Sequence, residues 1–326
     1  MEIIIALILL IIMYLFETNK VYHFVDYISK NNNITKKNRN NVNSYSSKEL
    51  IDINCNQDIL PKNNKKKQVI WIFDIYEVSS SHWQSFYSRK TRQPMSSIVS
   101  LCIDTIRDHS SNHFIRVFNQ NHIKKLLPEY EKYIKNCNSF YLAYNFIKFA
   151  MLYKYGGIWI PSDTIMLKEL RDTDFINDNK IITFGINNTN LVNSRGFSDT
   201  ILACREKNTD IKKIVNYLIK EVATFQNNIY FTKGVNMFFN KVIKNSTNHY
   251  HSDQMLAKKN NNKYINTDDL FSTNLLVIDD ICKKSLVHIN LFHINNLPQH
   301  NYLSRMSKKQ ILDSKLFLSE LLRYSL

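Results

Sequence analysis

The segment from 139 to 167 constrains the fold of this chain more than any other part. It reads SFYLAYNFIKFAMLYKYGGIWIPSDTIML. Ser139 is a favourable helix N-cap, and the apolar residues after it recur at helical spacing along one stripe. Gly156 is placed to end that helix in the left-handed conformation, because glycine has no Cβ to oppose a positive φ. We therefore predict a helix that stops at Gly156 and Gly157.

A buried strand is predicted directly after the glycine pair. Residues 158–160 are Ile-Trp-Ile, and Pro161 marks the end of this run because proline cannot donate a hydrogen bond to a sheet. Ser162 and Asp163 then fall on the loop at the carboxyl edge of the strand. Ligands bind at that edge in open α/β sheets, so Asp163 is a candidate site residue. The alternative is an ordinary turn residue at a strand end.

The chain before this segment alternates between strand and helix patterns. Residues 68–73 form a short apolar run typical of a buried strand, Pro94 opens a helical stretch, and residues 113–118 indicate a second strand. This succession implies a right-handed βαβ unit. We predict an α/β domain over 68–326, with a mixed, mostly parallel sheet flanked by helices. The phosphate loops of dinucleotide and P-loop proteins are absent from the sequence.

Two segments of different character precede the predicted domain. Residues 3–16 are an unbroken apolar run of 14 residues, shorter than the roughly 20 of a full membrane span. The flanks of this run lack the basic start and small-residue cleavage site of a secretory signal. We expect residues 1–29 to contain a single-pass membrane anchor of undetermined orientation. Residues 30–67 are rich in Asn and Lys, which is typical of a solvated basic stem.

The positive net charge of the chain indicates which kinds of ligand it can attract. The 326 residues carry a formal charge of +15, which favours a polyanionic ligand such as a nucleotide diphosphate, a nucleic acid or a lipid surface. No recognised nucleic-acid-binding module is present, so we expect no nucleic-acid partner. His249, His251 and Asp253 have the side-chain types of a metal site, but without a supporting pattern a solvated loop is the expectation.

The segment 139–167 resembles the signature of DXD-containing sugar transferases of the glycosyltransferase family 32 and capsular-polysaccharide-synthesis type. The resemblance covers about residues 68–170 and rests on the helix, the glycine pair, the aromatic strand and the Ser-Asp-Thr that follows. It implies a GT-A fold and transfer of a hexose, with retention of configuration, from a nucleotide-diphosphate sugar to a glycan or glycoconjugate hydroxyl. The Asn-rich, anchored form is similar to open reading frames of giant DNA viruses.

The resemblance also implies a metal site. In the family, two aspartates of the D-x-D motif hold a divalent ion, Mn²⁺ or Mg²⁺, that bridges the donor diphosphate. Here Asp163 takes the second position and Pro161 replaces the first aspartate, so weak or absent metal binding is part of the expectation. The family often places a late histidine near the metal, and His288 and His293 both follow that pattern, with His293 taken as the candidate ligand.

The remaining donor-site residues are also implied by the resemblance. The helical S-D-x-x-R of the family corresponds to residues 144–148, in which Asn145 replaces the acid and Lys148 the arginine. We expect Asn145 to bond a ribose or sugar hydroxyl and Lys148 to neutralise phosphate as a point charge, or both to lie on a solvated helix face. The other candidate donor-binding residues are Gly156, Gly157 and Ser162. A non-catalytic paralogue that binds glycan or donor, or serves in assembly, is the alternative function.

Overall fold

The structure is a computed structural model of the 326-residue chain. It describes residues 68–74, 97–137, 139–171, 180–187, 196–224, 231–256, 265, 267–273, 284–289, 291, 302 and 306–326. The predicted anchor at 1–29 and the predicted stem at 30–67 lie outside these residues, as does Pro94. Among the helices of the described ranges, none is both long and apolar enough to cross a membrane.

Strands of the described residues form one large sheet and one small sheet. In chain order they are β1 (Val69–Phe73), β2 (Phe114–Phe118), β3 (Gly157–Trp159), β4 (Thr164–Met166), β5 (Ile181–Asn187), β6 (Gly196–Cys204), β7 (His249–Ser252) and β8 (Leu286–His288). The large sheet has the order β2-β1-β3-β6-β5-β7, and β4 pairs with β8 alone. β1 is parallel to β2 and β3, and β5 is parallel to β7, whereas β6 is antiparallel to both of its neighbours. The predicted mixed, mostly parallel sheet is confirmed.

Helices cover the large sheet in the described ranges. They are α1 (Ser97–Asp108), α2 (Ile123–Leu126), α3 (Glu131–Lys135), α4 (Phe140–Tyr155), α5 (Thr209–Thr224), α6 (Phe231–Lys244), α7 (Thr267–Leu270), α8 (Lys308–Asp313) and α9 (Phe317–Ser325). A single turn of 3₁₀ helix at Gln120–His122 precedes α2. The succession β1, α1 and β2 with parallel pairing of the two strands matches the predicted βαβ unit.

The hydrophobic core lies on both faces of the large sheet. Side chains alternate along a strand, so Ile70 and Ile72 of β1 join one buried cluster, which also contains residues of α1 and the C-terminal helices. Trp71 and Phe73 join the opposite cluster, with residues of α4, α5 and α6. Burial on both faces explains why β1 is a continuous apolar run rather than an alternating one.

The prediction of a solvated loop at His249 is wrong. Residues His249–Ser252 form β7, the edge strand of the large sheet, in parallel register with β5. Both His249 and His251 are half-buried, and each approaches the hydroxyl of Thr183, at 2.9 and 3.4 Å. The segment has little apolar character of its own, and pairing with β5 decides its conformation.

Candidate active site

The predicted end of α4 is found at the glycine pair, with a different backbone conformation. The Ser139 hydroxyl accepts a hydrogen bond from the Leu142 amide over 3.2 Å, as an N-cap should. Gly156 ends the helix with φ 63° and ψ −158°, outside the left-handed helical region that was expected and in a region open almost only to glycine. Gly157 follows with φ 93°.

Close packing fixes both glycines as well. A Cβ on Gly156 would lie 2.4 Å from the amide nitrogen of Glu206, and one on Gly157 would lie 2.4 Å from the carbonyl oxygen of Val69. Both neighbours are backbone atoms and cannot rotate away. The glycine pair therefore allows β3 to approach β1 and the end of β6, which positions everything that follows β3. The glycines lie at the start of β3, and Asp163 lies after its end, so they affect the site by positioning the strand.

The site lies at the carboxyl edge of β3. Since α4 ends where β3 begins, the first turns of α4 return to the edge at which β3 ends. There the indole Nε1 of Trp159 donates a hydrogen bond to the Tyr144 hydroxyl over 3.1 Å, and the two rings make an edge contact at 5.6 Å between centroids. Ser162 and Asp163 follow on the predicted loop, and both are buried.

Asp163 is held by the chain segment that contains β8. Its Oδ2 atom accepts a hydrogen bond from the Leu291 amide over 2.7 Å, and its Oδ1 atom lies 3.3 Å from Nε2 of His288. Its carbonyl oxygen accepts a further hydrogen bond from the Ile289 amide over 3.0 Å. Asp163 thus joins the loop after β3 to a segment more than 120 residues later in the sequence.

The ionised form of Asp163 is favoured by these contacts. Burial acts to raise the pKa of this carboxyl group, but the charge and hydrogen bond of His288 and the Leu291 amide act more strongly in the opposite direction. The net result is a pKa below the usual range of an aspartate. Asp163 is therefore an anion at neutral pH.

The expected metal site does not fit this arrangement of side chains. Both Asp163 oxygens face protein donors, and only 8% of its side chain is exposed. Within the described part of the chain, no group of three or more His, Cys, Asp and Glu side chains is suited to hold a metal ion. A divalent ion needs several oxygen ligands, and Pro161 supplies none. The candidate ligand His293 lies outside the described residues.

Lys148 is buried rather than solvated. Its side chain is 2% exposed, so it does not lie on a solvated helix face. Its ammonium donates to the carbonyl oxygen of Asp199 over 2.7 Å and to Oδ2 of the same residue over 3.0 Å. Burial lowers the pKa of Lys148, while Asp199 acts in the opposite direction. Asp199 is therefore the counter-ion of Lys148 within the described residues, and a role of Lys148 toward phosphate stays a prediction.

Asn145 is also buried rather than solvated. It is 1% exposed, and its side-chain amide donates to the carbonyl oxygen of Tyr141, one turn earlier in α4, over 2.9 Å. Asn145 lies between Tyr144 and Lys148 along α4, and its described side-chain hydrogen bond is made within the helix.

Two residues near the site were not selected as candidates from the sequence. Asp199 on β6 was missed because no motif surrounds it and it lies 51 residues from its partner Lys148. The sequence pattern fits His288 and His293 equally, because the short run between them has no feature that distinguishes the two. The tertiary contact with Asp163 makes that distinction.

A family model described as the glycosyltransferase sugar-binding region containing the DXD motif matches residues 30–183 of this chain. The match includes β1, α4, the glycine pair and Asp163, and it covers somewhat less than half of the sequence. It supports a DXD-type glycosyltransferase as the class of protein. Among curated proteins, no match is found.

Solved structures of glycosyltransferases also resemble the chain, at low similarity. The PaToxG glycosyltransferase has a TM-score of 0.35 at 14% identity, over 54% of this chain and 68% of its own. The glycosyltransferase GlyE of Streptococcus pneumoniae TIGR4 has a TM-score of 0.40 at 12% identity, over 80% of this chain and 60% of its own. The apo form of GlyE has a TM-score of 0.31 at 12% identity, over 57% of this chain and 45% of its own. Scores below 0.5 do not establish a common fold.

Proposed function

We propose that this protein is a glycosyltransferase that transfers a hexose from a nucleotide-diphosphate sugar to a hydroxyl of a glycan or glycoconjugate. One observation carries the proposal: the ionised Asp163 lies at the carboxyl edge of β3, within the segment that matches the DXD sugar-binding region. The GT-A fold type, family 32 and retention of configuration belong to the same proposal and follow from the resemblance of residues 68–170. A giant-virus origin rests on composition alone.

The chemistry requires stabilisation of a leaving group. A departing nucleoside diphosphate gains negative charge in the transition state, and preorganised donors or cations at that position lower the barrier. In the family a divalent ion supplies this charge. In this chain the described side chains do not fit such an ion, so we assign no step to it. His288, 18% exposed and held by Asp163, is the nearest described basic side chain to the motif carboxylate.

A catalytically inactive paralogue that binds glycan or donor, or takes part in assembly, is the second candidate. Pro161 in the position of the first motif aspartate favours it, as do the protein hydrogen bonds that already occupy Asp163. In this alternative Asp163 is a structural link between β3 and the β8 segment. The two candidates differ in turnover, not in fold.

A donor-hydrolysis screen separates the candidates. The full chain is incubated with UDP- and GDP-sugars, with and without Mn²⁺, and release of the nucleoside diphosphate is measured. We expect turnover of at least one donor and its loss in Asp163→Asn. Asp253→Asn serves as the matched control, because the Asp253 side chain is 80% exposed and remote in sequence from the motif. Isothermal titration with the same donors measures binding in parallel. Binding without turnover would support the inactive paralogue, and the absence of both would refute the glycosyltransferase and a donor-binding paralogue.

We further propose that residues 1–29 anchor the protein in a membrane through a single span and that residues 30–67 act as a stem. The apolar run at 3–16 and the basic, Asn-rich composition after it support this proposal. Flotation of the full chain with lipid vesicles, compared with a variant that carries Lys at residues 8 and 12, tests it. Equal flotation of both proteins would contradict the anchor.

A further inference from the structure

The register of β6 is interrupted beside the candidate site. Phe184 of β5 pairs with Ile201, whereas the next pair joins Ile186 to Phe197. One residue of β5, Gly185, therefore lies opposite three residues of β6, 198–200. Such bulges redirect side chains and occur often next to active sites. Asp199 is the central residue of this bulge.

Lys148 holds the bulge in place. Its ammonium bonds both the carbonyl oxygen and Oδ2 of Asp199, as described above, and neither side chain is more than 10% exposed. A single buried cation thus fixes the backbone and the carboxylate of one residue. The orientation of Asp199 is consequently much more restricted than that of a surface aspartate.

The sheet places Asp199 close to the motif. Trp159 of β3 pairs with Leu202 of β6, three residues after Asp199. The Lys148 ammonium that bonds Asp199 lies 6.0 Å from the centre of the Tyr144 ring, and the Tyr144 hydroxyl accepts a hydrogen bond from Trp159. The electrostatics of Tyr144 reflect both carboxylates. Burial raises the pKa of its hydroxyl, and the negative charges of Asp163 and Asp199 each raise it further. The carboxylates of Asp163, on the loop after β3, and of Asp199, on β6, therefore both lie near Tyr144.

We propose that Asp199 is a substrate-binding carboxylate of the donor site that accepts hydrogen bonds from hydroxyls of the transferred sugar, and that Lys148 is its positioning residue. The inference rests on the proposed glycosyltransferase function. Of the two carboxylate oxygens of Asp199, Lys148 bonds Oδ2, and no hydrogen bond from a described residue reaches Oδ1. A carboxylate oxygen accepts well from neutral sugar hydroxyls and repels a diphosphate. Asp199 should therefore recognise the sugar and not the nucleotide part of a donor.

The test compares two ligands on the full chain. Isothermal titration measures the affinity for a nucleotide sugar that the wild type binds and for the matching nucleoside diphosphate. We expect Asp199→Asn to weaken nucleotide-sugar binding by roughly 10-fold or more, since hydrogen bonds to charged groups are strong, while diphosphate binding changes by less than about twofold. If the affinities for both ligands fall equally, or if neither changes, the proposed role of Asp199 is wrong and the proposed glycosyltransferase function is unaffected. Absence of nucleotide binding by the wild type would refute the proposed function and this inference together.

Two further variants separate recognition from folding. Asp199→Asn leaves Lys148 buried without its counter-ion, so the double variant Lys148→Met with Asp199→Asn removes both charges and should show the same selective loss. Lys148→Met alone should also weaken the nucleotide sugar more than the diphosphate, because the carboxylate is no longer held. If neither variant loses affinity for the nucleotide sugar selectively, the proposal is wrong. Melting temperature is recorded for each.

Asp210 provides the matched control. It is a buried aspartate that also pairs with a lysine, Lys213, over 2.7 Å, and accepts a hydrogen bond from Ser246. It lies six residues after β6 ends at Cys204, which pairs with the first residue of β3 at the opposite edge of the sheet. Asp210→Asn should lower the melting temperature without changing the ratio of the two affinities. A changed ratio would show that the effect of Asp199→Asn is not local.

Discussion

The indole nitrogen of Trp71 donates a hydrogen bond to the carbonyl oxygen of Gly156 over 2.7 Å. Both residues are buried, and the bond joins the centre of β1 to the end of α4. The first strand of the domain and the glycine pair before β3 are therefore fixed to one another. This contact determines where β3 begins and, through β3, where the loop with Asp163 lies.

Replacing Trp71 tests the importance of this link. Trp71→Phe retains an aromatic ring but removes the donor, which leaves the Gly156 carbonyl buried without this partner. We expect the free energy of unfolding to fall by about 1–3 kcal/mol for the lost bond, with a further loss from the smaller ring. Urea denaturation of the wild type and the variant measures this change in the free energy of unfolding. An unchanged midpoint would show that the link contributes nothing to stability.

The two site glycines should not tolerate alanine. In Gly156→Ala the new Cβ meets the Glu206 amide at a positive φ, and we expect a loss of about 3 kcal/mol or more, or failure to fold. Gly234→Ala is the control. Gly234 lies within α6, its added Cβ would be 3.2 Å from the Tyr217 hydroxyl, and helix propensity favours alanine by about 1 kcal/mol. Similar melting temperatures for the two variants would contradict the strained turn at Gly156.

Acid stability should depend on Asp163. Because its pKa is depressed in the folded state, its contribution is complete above the unfolded value of about 3.9 and is lost as pH falls through the lower folded value. Asp163→Asn should reduce stability at pH 7 by about 1–3 kcal/mol and flatten the loss of stability below about pH 4. Urea denaturation at pH 7, 4 and 3 measures both effects. A slope in Asp163→Asn that equals the wild-type slope would exclude the contribution.

His249 should make stability sensitive to mildly acidic pH. Burial, aided by the charge of His251, lowers the pKa of His249 to about 4 from its ordinary value near 6.5. Between these two values the unfolded chain binds a proton that the folded chain excludes, so stability falls as pH decreases from about 6.5 to 4. His249→Gln should flatten this dependence, measured by urea denaturation at pH 7 and 5. An equally steep decrease in the variant would assign the effect to other groups.

Local patterns were sufficient for α4 and the elements around it. Four local features act within a few residues each: Ser139, the apolar stripe, the glycine pair and the Ile-Trp-Ile run. The helix, its end, the strand and the loop position of Asp163 were therefore predictable. The ψ of Gly156 differs from the expected left-handed value, and the close approach of the Glu206 backbone, which excludes a Cβ there, is a nonlocal contact that no short segment predicts.

Contacts between distant segments decided the rest of the site. Hydrophobic periodicity and turn chemistry are local, so they were enough to predict which residues form the strand and the loop with Asp163. Three other features arise from contacts between distant segments. Asp163 pairs with His288, Lys148 is buried against Asp199, and His249 lies in a strand. Each of these depends on the register of strands separated by long stretches of chain. Register is set by the summed packing of both sheet faces, which no short segment encodes.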